Sequence, residues 1–186
     1  MRKLKLQVQI TVDGFITGTQ GEMDWLTFPW TKDIEEYVTQ ITEPVDAILL
    51  GRNLAQGFIP HWAANPEGED QKGIDKINST KKYVFTKTLQ KSEWTNTEVV
   101  NGELKEEILK LKAQDGGDMI VYGGGTFVSA LLKEELIDEL HLFINPAAIG
   151  NGMPIFKGLE KTQRFKLQKA QAFECGIVLI NYQLNK

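Results

Sequence analysis

From its fourth residue the chain alternates: Leu4, Leu6, Val8, Ile10 and Val12 are apolar, and Lys5, Gln7, Gln9 and Thr11 between them are polar. Period two predicts a strand with one apolar and one polar face, and Asp13-Gly14 closes it with turn chemistry. The period then changes. In "TKDIEEYVTQI" the apolar Ile34, Tyr37, Val38 and Ile41 recur at helical spacing, with Thr31 as a candidate N-cap and Pro44 beyond the end. "VDAILLGRN" follows as a short, continuous apolar run, the form of a strand buried on both faces, and "KKYVFTKTL" and "DMIVYGGG" repeat it. Between those two, "ELKEEILKLKAQDGG" predicts an amphipathic helix ending at Gly116-Gly117, and a further helix is expected from Thr126 to about Glu135. The tail, "DELHLFINP" and "QRFKLQKAQAFECGIVLINYQL", reads as strands joined by turns. Asn53 to Ser79, with Pro60, Pro66 and "EGEDQKG", is polar and irregular and reads as a surface loop or a weak helix.

Parallel strands with crossover helices, followed by an antiparallel tail, predict an α/β three-layer sandwich with a mixed, mostly parallel sheet. The 186 residues suffice for one full core and are short for two, so one domain over 1–186 is expected. A net charge of -4 and a pI near 5.3 give no general attraction to nucleic acid or acidic lipid. Any anionic ligand must be held by local features. The first residues contain no apolar block of export-signal or membrane-span length, so neither a membrane nor a nucleic-acid partner is expected, and the cytoplasm is the default. The single cysteine, Cys175, fits a reducing compartment and reads as an inert buried thiol. With only His61 and His141 available, no metal-ligand spacing can be built; His141 reads as a strand residue facing a neighbour.

Candidate chemistry concentrates at strand ends. In "MIVYGGGTFVSALLKEELIDEL" an apolar run ends in three glycines and restarts at once with helical spacing. Three residues without Cβ cost backbone entropy, on the order of 1 kcal/mol each, so close approach of another group to that backbone is expected. A strand end, bare backbone N–H groups and a helix N-terminus suit a pyrophosphate, and Tyr122-Gly123-Gly124-Gly125-Thr126 supplies all of these. The other reading is a tight turn with close packing. G-x-G-x-x-G would need glycine where Val128 stands, and no G-x-x-x-x-G-K-[ST] occurs. Gly51, Arg52 and Asn53 form a second donor-rich junction, and Thr86, Lys87 and Thr88 a third. Ligands of open α/β sheets sit beyond the carboxyl ends of the strands, where the three converge. A dinucleotide has that length, and the cationic Lys87 at a strand end favours NADPH over NADH.

"TVDGFITG", "MDW", "LLGRN", "VFTKT", "VYGGGTF" and "LIDELHLFINPAAIGNGMPIF" resemble, in order and spacing, the dihydrofolate reductase-like superfamily, in the branch of the C-terminal reductase domain of bacterial riboflavin biosynthesis. The resemblance implies a mixed, eight-stranded sheet flanked by helices, NADPH across the strand ends and frequent homodimers. It puts Gly51 and Arg52 at the cofactor phosphates, Thr86 and Lys87 near the adenosine 2'-phosphate, and Gly123 to Thr126 at the pyrophosphate. Two segments depart from the pattern: Leu54 replaces a threonine that often helps bind phosphate, and "EEYVTQITEP" stands where the riboflavin enzymes carry a His-x-Leu-Arg-type segment.

Reduction by a nicotinamide needs a proton source, and a carboxylic acid in an apolar cleft serves because burial raises its pKa. In the dihydrofolate reductase relatives that acid lies on the first helix, which here offers Asp33, with Glu36 one helical face away. Gln9, Thr11, Asp13 and Trp25 are the expected substrate-cleft residues. The expected function is an NADPH-dependent reductase of a small heterocycle, similar to the 5-amino-6-(5-phosphoribosylamino)uracil reductase. Dihydrofolate reduction and a non-catalytic NADP-binding protein are the alternatives. "LHLFINPAAIG" and "GIVLINYQL" are more apolar than the tail of a small monomer needs, which predicts a homodimer formed by these strands.

Overall fold

Residues 1–185 are described in a computed structural model. In chain order the elements are β1 (Leu4–Thr11), β2 (Phe15–Thr17), α1 (Lys32–Thr42), β3 (Val45–Gly51), α2 (Arg52–Ala63), α3 (Gln71–Ser79), β4 (Lys81–Phe85) and β5 (Thr97–Val100), then α4 (Leu104–Ala113), β6 (Asp118–Val121), α5 (Gly125–Lys133), β7 (Glu139–Asn145), β8 (Met153–Pro154), β9 (Phe165–Ala172) and β10 (Val178–Leu184). Eight strands form one sheet in the order β5-β4-β3-β6-β1-β7-β10-β9, and β2 pairs with β8 in a separate ribbon. The strands from β5 to β7 in that order are parallel, whereas β10 runs antiparallel to both β7 and β9. The carboxyl ends of β4, β3, β6, β1 and β7 therefore lie along one edge.

The alternation of β1 separates the two faces. Leu4, Leu6, Val8 and Ile10 join Ala47, Leu49, Met119, Val121, Leu140 and Leu142 under α4 and α5, which contribute Ile108, Leu111, Val128, Leu131 and Leu132. On the other face two smaller apolar clusters form side by side. One packs α1, through Ile34, Tyr37 and Ile41, against Phe143 and Leu179; the other packs α2, through Ala55 and Ile59, against Ile48, Leu50 and Ile120. No residue of β1 belongs to either, so its polar side runs between them. Lys5, at the start of that side, donates to the Ile41 carbonyl at 3.1 Å and pairs with Asp118 at 2.8 Å, which places a cation at the C-terminal end of α1.

Asn53 to Ser79 differs from the sequence expectation, for it forms most of α2 and all of α3. Gly57 and Pro60 argue against a helix locally, but Ala55 and Ile59 are buried and a Cβ on Gly57 would meet only open space. Tertiary burial of one stripe outweighs a propensity cost of about 3 kcal/mol for the proline. The short β5 was not foreseen either. In the tail, the apolar runs of β7 and β10 are covered within the chain, because β10 lies between β7 and β9. Of the tail strands the one with an open side is β9, which is exposed along most of its length. Cys175 is half-buried against the α1 cluster rather than buried.

A polar network carries α1 on the sheet. The Tyr37 hydroxyl shares a hydrogen bond with Nδ1 of the buried His141 at 2.9 Å; Glu139 lies 3.5 Å from His141 Nε2 and 2.7 Å from Lys3 Nζ. The His141 contact, followed by Lys3, holds the Glu139 carboxyl down to about 2, while burial and the Glu139 charge push the Tyr37 phenol up to about 12. A carboxyl depressed on folding stabilises the fold above its unfolded value of 4.5, and that stabilisation is lost as pH falls toward 2. After screening it amounts to no more than about 2 kcal/mol. Urea unfolding at pH 7, 4 and 3 is expected to show a weaker Glu139→Gln variant at neutral pH with a shallower acid decline than the wild type.

Candidate functional site

The three glycines after β6 have different reasons to be glycine. A Cβ on Gly125 would sit 2.6 Å from Met153 Cγ and 3.3 Å from Ile16 Cδ1, so a side chain there requires Met153 on the β2–β8 ribbon to shift. Gly123 and Gly124 have φ of +136° and +83°, where L side chains are strained. A Cβ on Gly123 would meet nothing within 4 Å. Packing thus accounts for Gly125, and backbone conformation for Gly123 and Gly124. The Val128 N–H reaches the Gly124 carbonyl at 2.9 Å, leaving the first N–H groups of α5 to face the sheet edge beside this bare backbone.

The next strand end is locked to the first. A Cβ on Gly51 would lie 2.9 Å from Phe127 Cβ, so the start of α2 packs on the first turn of α5. Arg52 opens α2 and donates from Nη1 to Thr88 Oγ1 at 3.0 Å, Thr88 N–H donates to Thr86 Oγ1 at 3.1 Å, and the two hydroxyls are 3.2 Å apart. Arg52, Thr86 and Thr88 therefore form one polar cluster beyond β3 and β4. Lys87 does not join it: its amine donates to the carbonyls of Asn101 and Gly102 and pairs with Glu103 at 3.1 Å. Asn53 is exposed in the first turn of α2, and Leu54 packs beside Gly124, with its Cβ 3.6 Å from where a Cβ on that glycine would lie. Tyr122 continues the alternation of β6 onto the α2 face, stacking on Phe58 at 5.4 Å, so its side chain points away from the glycine backbone. Burial pushes its phenol up and keeps it protonated.

On β1, Thr11 is fully buried and its hydroxyl is used internally, donating to Asp13 Oδ1 at 2.6 Å and accepting from Phe15 N–H at 3.0 Å. Asp13 also accepts from Gly150 N–H at 2.7 Å and Ile149 N–H at 3.2 Å; these bonds, Thr11 first, hold its carboxyl below the usual range. It staples the turn after β1 to the loop after β7. Gln9 accepts at Oε1 from Asn145 Nδ2 at 2.7 Å, and Asn145 Oδ1 accepts from Thr27 N–H at 3.0 Å, which ties the loop before α1 to the sheet. Trp25 lies two residues before Thr27, and its buried indole N–H has no acceptor among the described residues.

The carboxylates of α1 lack the setting of a proton donor. Asp33 accepts from the Thr31 hydroxyl at 2.5 Å, Ile34 N–H at 3.0 Å and Glu174 N–H at 3.0 Å, and these bonds, Thr31 first, hold it below the usual range. It fastens α1 to the β9–β10 turn as an anion, the reverse of the raised pKa that the chemistry asks for. Thr31, the expected N-cap, spends its hydroxyl on Asp33. Glu36 is exposed and pairs with Lys32 at 3.5 Å. Asn145, Thr27 and Phe58 were not foreseen, because Asn145 meets Gln9 across 136 positions and no local pattern announces the pair.

Residues 2–179 match the RibD C-terminal domain family. The chain is 32% identical over 186 residues to the uncharacterized protein YyaP of Bacillus subtilis (strain 168), covering 99% of this chain and 96% of that protein. It shares its fold with a diaminohydroxyphosphoribosylaminopyrimidine deaminase/5-amino-6-(5-phosphoribosylamino)uracil reductase of Thermotoga maritima, at a TM-score of 0.71 and 18% identity, over 99% of this chain and 57% of that one. A dihydrofolate reductase from Enterococcus faecalis, complexed with NADP(H) and RAB-propyl, superposes at a TM-score of 0.65 and 15% identity, over 99% of this chain and 97% of that one. The chain belongs to the RibD C-terminal domain family and has the dihydrofolate reductase-like fold.

Proposed function

We propose that the protein is an NADPH-dependent reductase of a small heterocyclic substrate, similar in reaction to the ribosylaminouracil reductase step. The observation that carries this reading is the bare backbone of Gly123 and Gly124 at the N-terminus of α5, beside the Arg52–Thr86–Thr88 cluster on the adjoining strand ends. That set fits a dinucleotide: N–H groups and a positive helix end for the pyrophosphate, and a planar guanidinium with two hydroxyls for a further phosphate. When bound, NADPH supplies the hydride. Gly123 to Thr126 bind and orient the pyrophosphate, Arg52 neutralises phosphate charge, and the Met23–Trp30 loop, tied down through Thr27, excludes water from the polar side of β1. The neutral Tyr122 ring, stacked on Phe58 in the α2 cluster, supports the strand end from that side. Neither Asp33 nor Glu36 is arranged to deliver the accompanying proton. That observation favours the second reading, an NADP-binding protein without catalysis, and stopped-flow oxidation of bound NADPH against pterins, folates and pyrimidines decides between the two.

The lone Cys175 fits a cytoplasmic setting for this chemistry, and we infer a twofold homodimer along the open side of β9, where Leu167 is 54% exposed. A monomeric mass by light scattering at micromolar concentration would refute the dimer.

NADPH is expected to bind more tightly than NADH in a fluorescence titration. Lys87 must leave Glu103 to reach a 2'-phosphate, so Glu103→Gln is expected to tighten NADPH by up to about fivefold, the worth of one exposed ion pair. Lys87→Ala is expected to narrow the NADPH preference. No change in either variant counts against this assignment.

Gly124→Val places a β-branched residue at φ +83°, at a stability cost on the order of 1 to 2 kcal/mol. The variant is expected to stay folded yet to lose NADPH, and with it the stabilisation of about 2.7 kcal/mol that a ligand at about 100 times its dissociation constant confers. Thermal unfolding with and without NADPH measures both. Early unfolding with normal binding by the folded remainder would leave packing as the role of this glycine.

A further inference from the structure

Among buried side chains the amide of Asn145 is unusual in having its orientation dictated by backbone groups. Asn145 has no exposed surface, its Oδ1 must face the donating N–H of Thr27 at 3.0 Å, and its Nδ2 must face the accepting carbonyl of Phe143 at 3.2 Å. Neither backbone group can exchange roles, so the amide cannot be turned over. The second hydrogen on Nδ2 then points at Gln9, 2.7 Å away, and the Gln9 atom that receives it must be the oxygen. It follows that the Gln9 nitrogen faces away from Asn145; the one side-chain hydrogen bond of this half-buried residue is at its oxygen, and its nitrogen is not among the fully buried unmatched atoms, so it stays open to a ligand or to water. The polar side of β1 between α1 and α2 thus presents N–H, and the buried Trp25 indole in the loop above adds an unmatched N–H. Asp33, the acid closest in sequence to this loop on α1, is turned to Glu174. Gln7, two residues earlier on the same side, has an unmatched buried oxygen but no such anchor, so it can offer either end of its amide.

We infer that Gln9 is the specificity-determining residue of the cleft and Asn145 its positioning residue: the chain Phe143 carbonyl–Asn145–Gln9 presents an amide donor that selects a carbonyl oxygen on a flat heterocycle and rejects an amino-substituted edge. A donor opposite an amino group leaves both N–H groups unpaired, and such mismatches in a desolvated site cost more than the matched bond contributes. The inference rests on the polar side of β1 being the substrate cleft of the proposed reductase.

Two pteridines of one shape separate the cases: lumazine, with carbonyls at positions 2 and 4, and 2,4-diaminopteridine, with amino groups there. Binding of each is measured by pteridine fluorescence, with and without NADP+, alongside an NADPH titration. The wild-type protein is expected to favour lumazine by at least about tenfold, one well-placed hydrogen bond's worth. Gln9→Glu is expected to invert the ratio, Gln9→Leu to bring it near one, and Asn145→Leu to bring it near one although Gln9 is intact. Gln9 is only half-buried, so its variants keep the test decisive if Asn145→Leu unfolds. A wild-type preference for the diamino ring, binding of neither ring at millimolar concentration, or a ratio unmoved in Gln9→Glu would overturn the inference. Failure of NADPH to bind with the ring preference intact would instead sink the reductase reading and leave the amide chain standing.

Discussion

The pleat of β1 is the constraint on which the rest depends. Because β1 is paired on both sides, to β6 and to β7, a slip of one residue would drive Lys5, Gln7 and Gln9 into the layer under α4 and α5 and turn four aliphatic side chains out of it. Register is therefore held by the hydrophobic effect on one face, and the polar groups of the other follow without needing any affinity for what surrounds them. This is how a sheet can afford a row of buried amides and a lysine near its centre: the opposite face, not their own contacts, keeps them in place. The network of Tyr37, His141 and Glu139 and the Asn145–Gln9 pair extend the same row onto β7.

Much of the architecture was legible because it is periodic. β1, β3, β4, β6 and the helices α1, α4 and α5 each carry several turns or pleats of consistent pattern, and the antiparallel tail was visible in the lack of a crossover helix. What escaped had weak local signals. Helix α2 hides behind Gly57 and Pro60 and exists because Ala55 and Ile59 find a partner surface built from β3 and β6. Strand β5 is four residues long. At the candidate site, types and positions were legible but directions were not. Lys87 was the right kind of residue at the expected strand end, yet a carbonyl pair and Glu103 across the β5–α4 loop turn it aside. Asp33 had the spacing of an acid on the first helix, but three hydrogen-bond donors, one of them from the β9–β10 turn, hold it charged. Two of those donors, Thr31 and Ile34, are local, whereas Glu174 lies 141 positions away and no local pattern contains it.

The contact between Gly51 and Phe127 has a consequence for the thermodynamics of any ligand lying across the strand ends. It joins the N-cap of one helix to the first turn of another, so two positively polarised helix ends sit in contact on adjoining strands. A ligand lying across both strand ends would meet helix ends already held in contact, and its entropic cost there would fall mainly on its own freedom. The Lys87 side chain, paired with Glu103, and the loop tied through Thr27 lie outside that contact. The spacing of the two helix ends is thus a property of the packing between them, set before any ligand arrives.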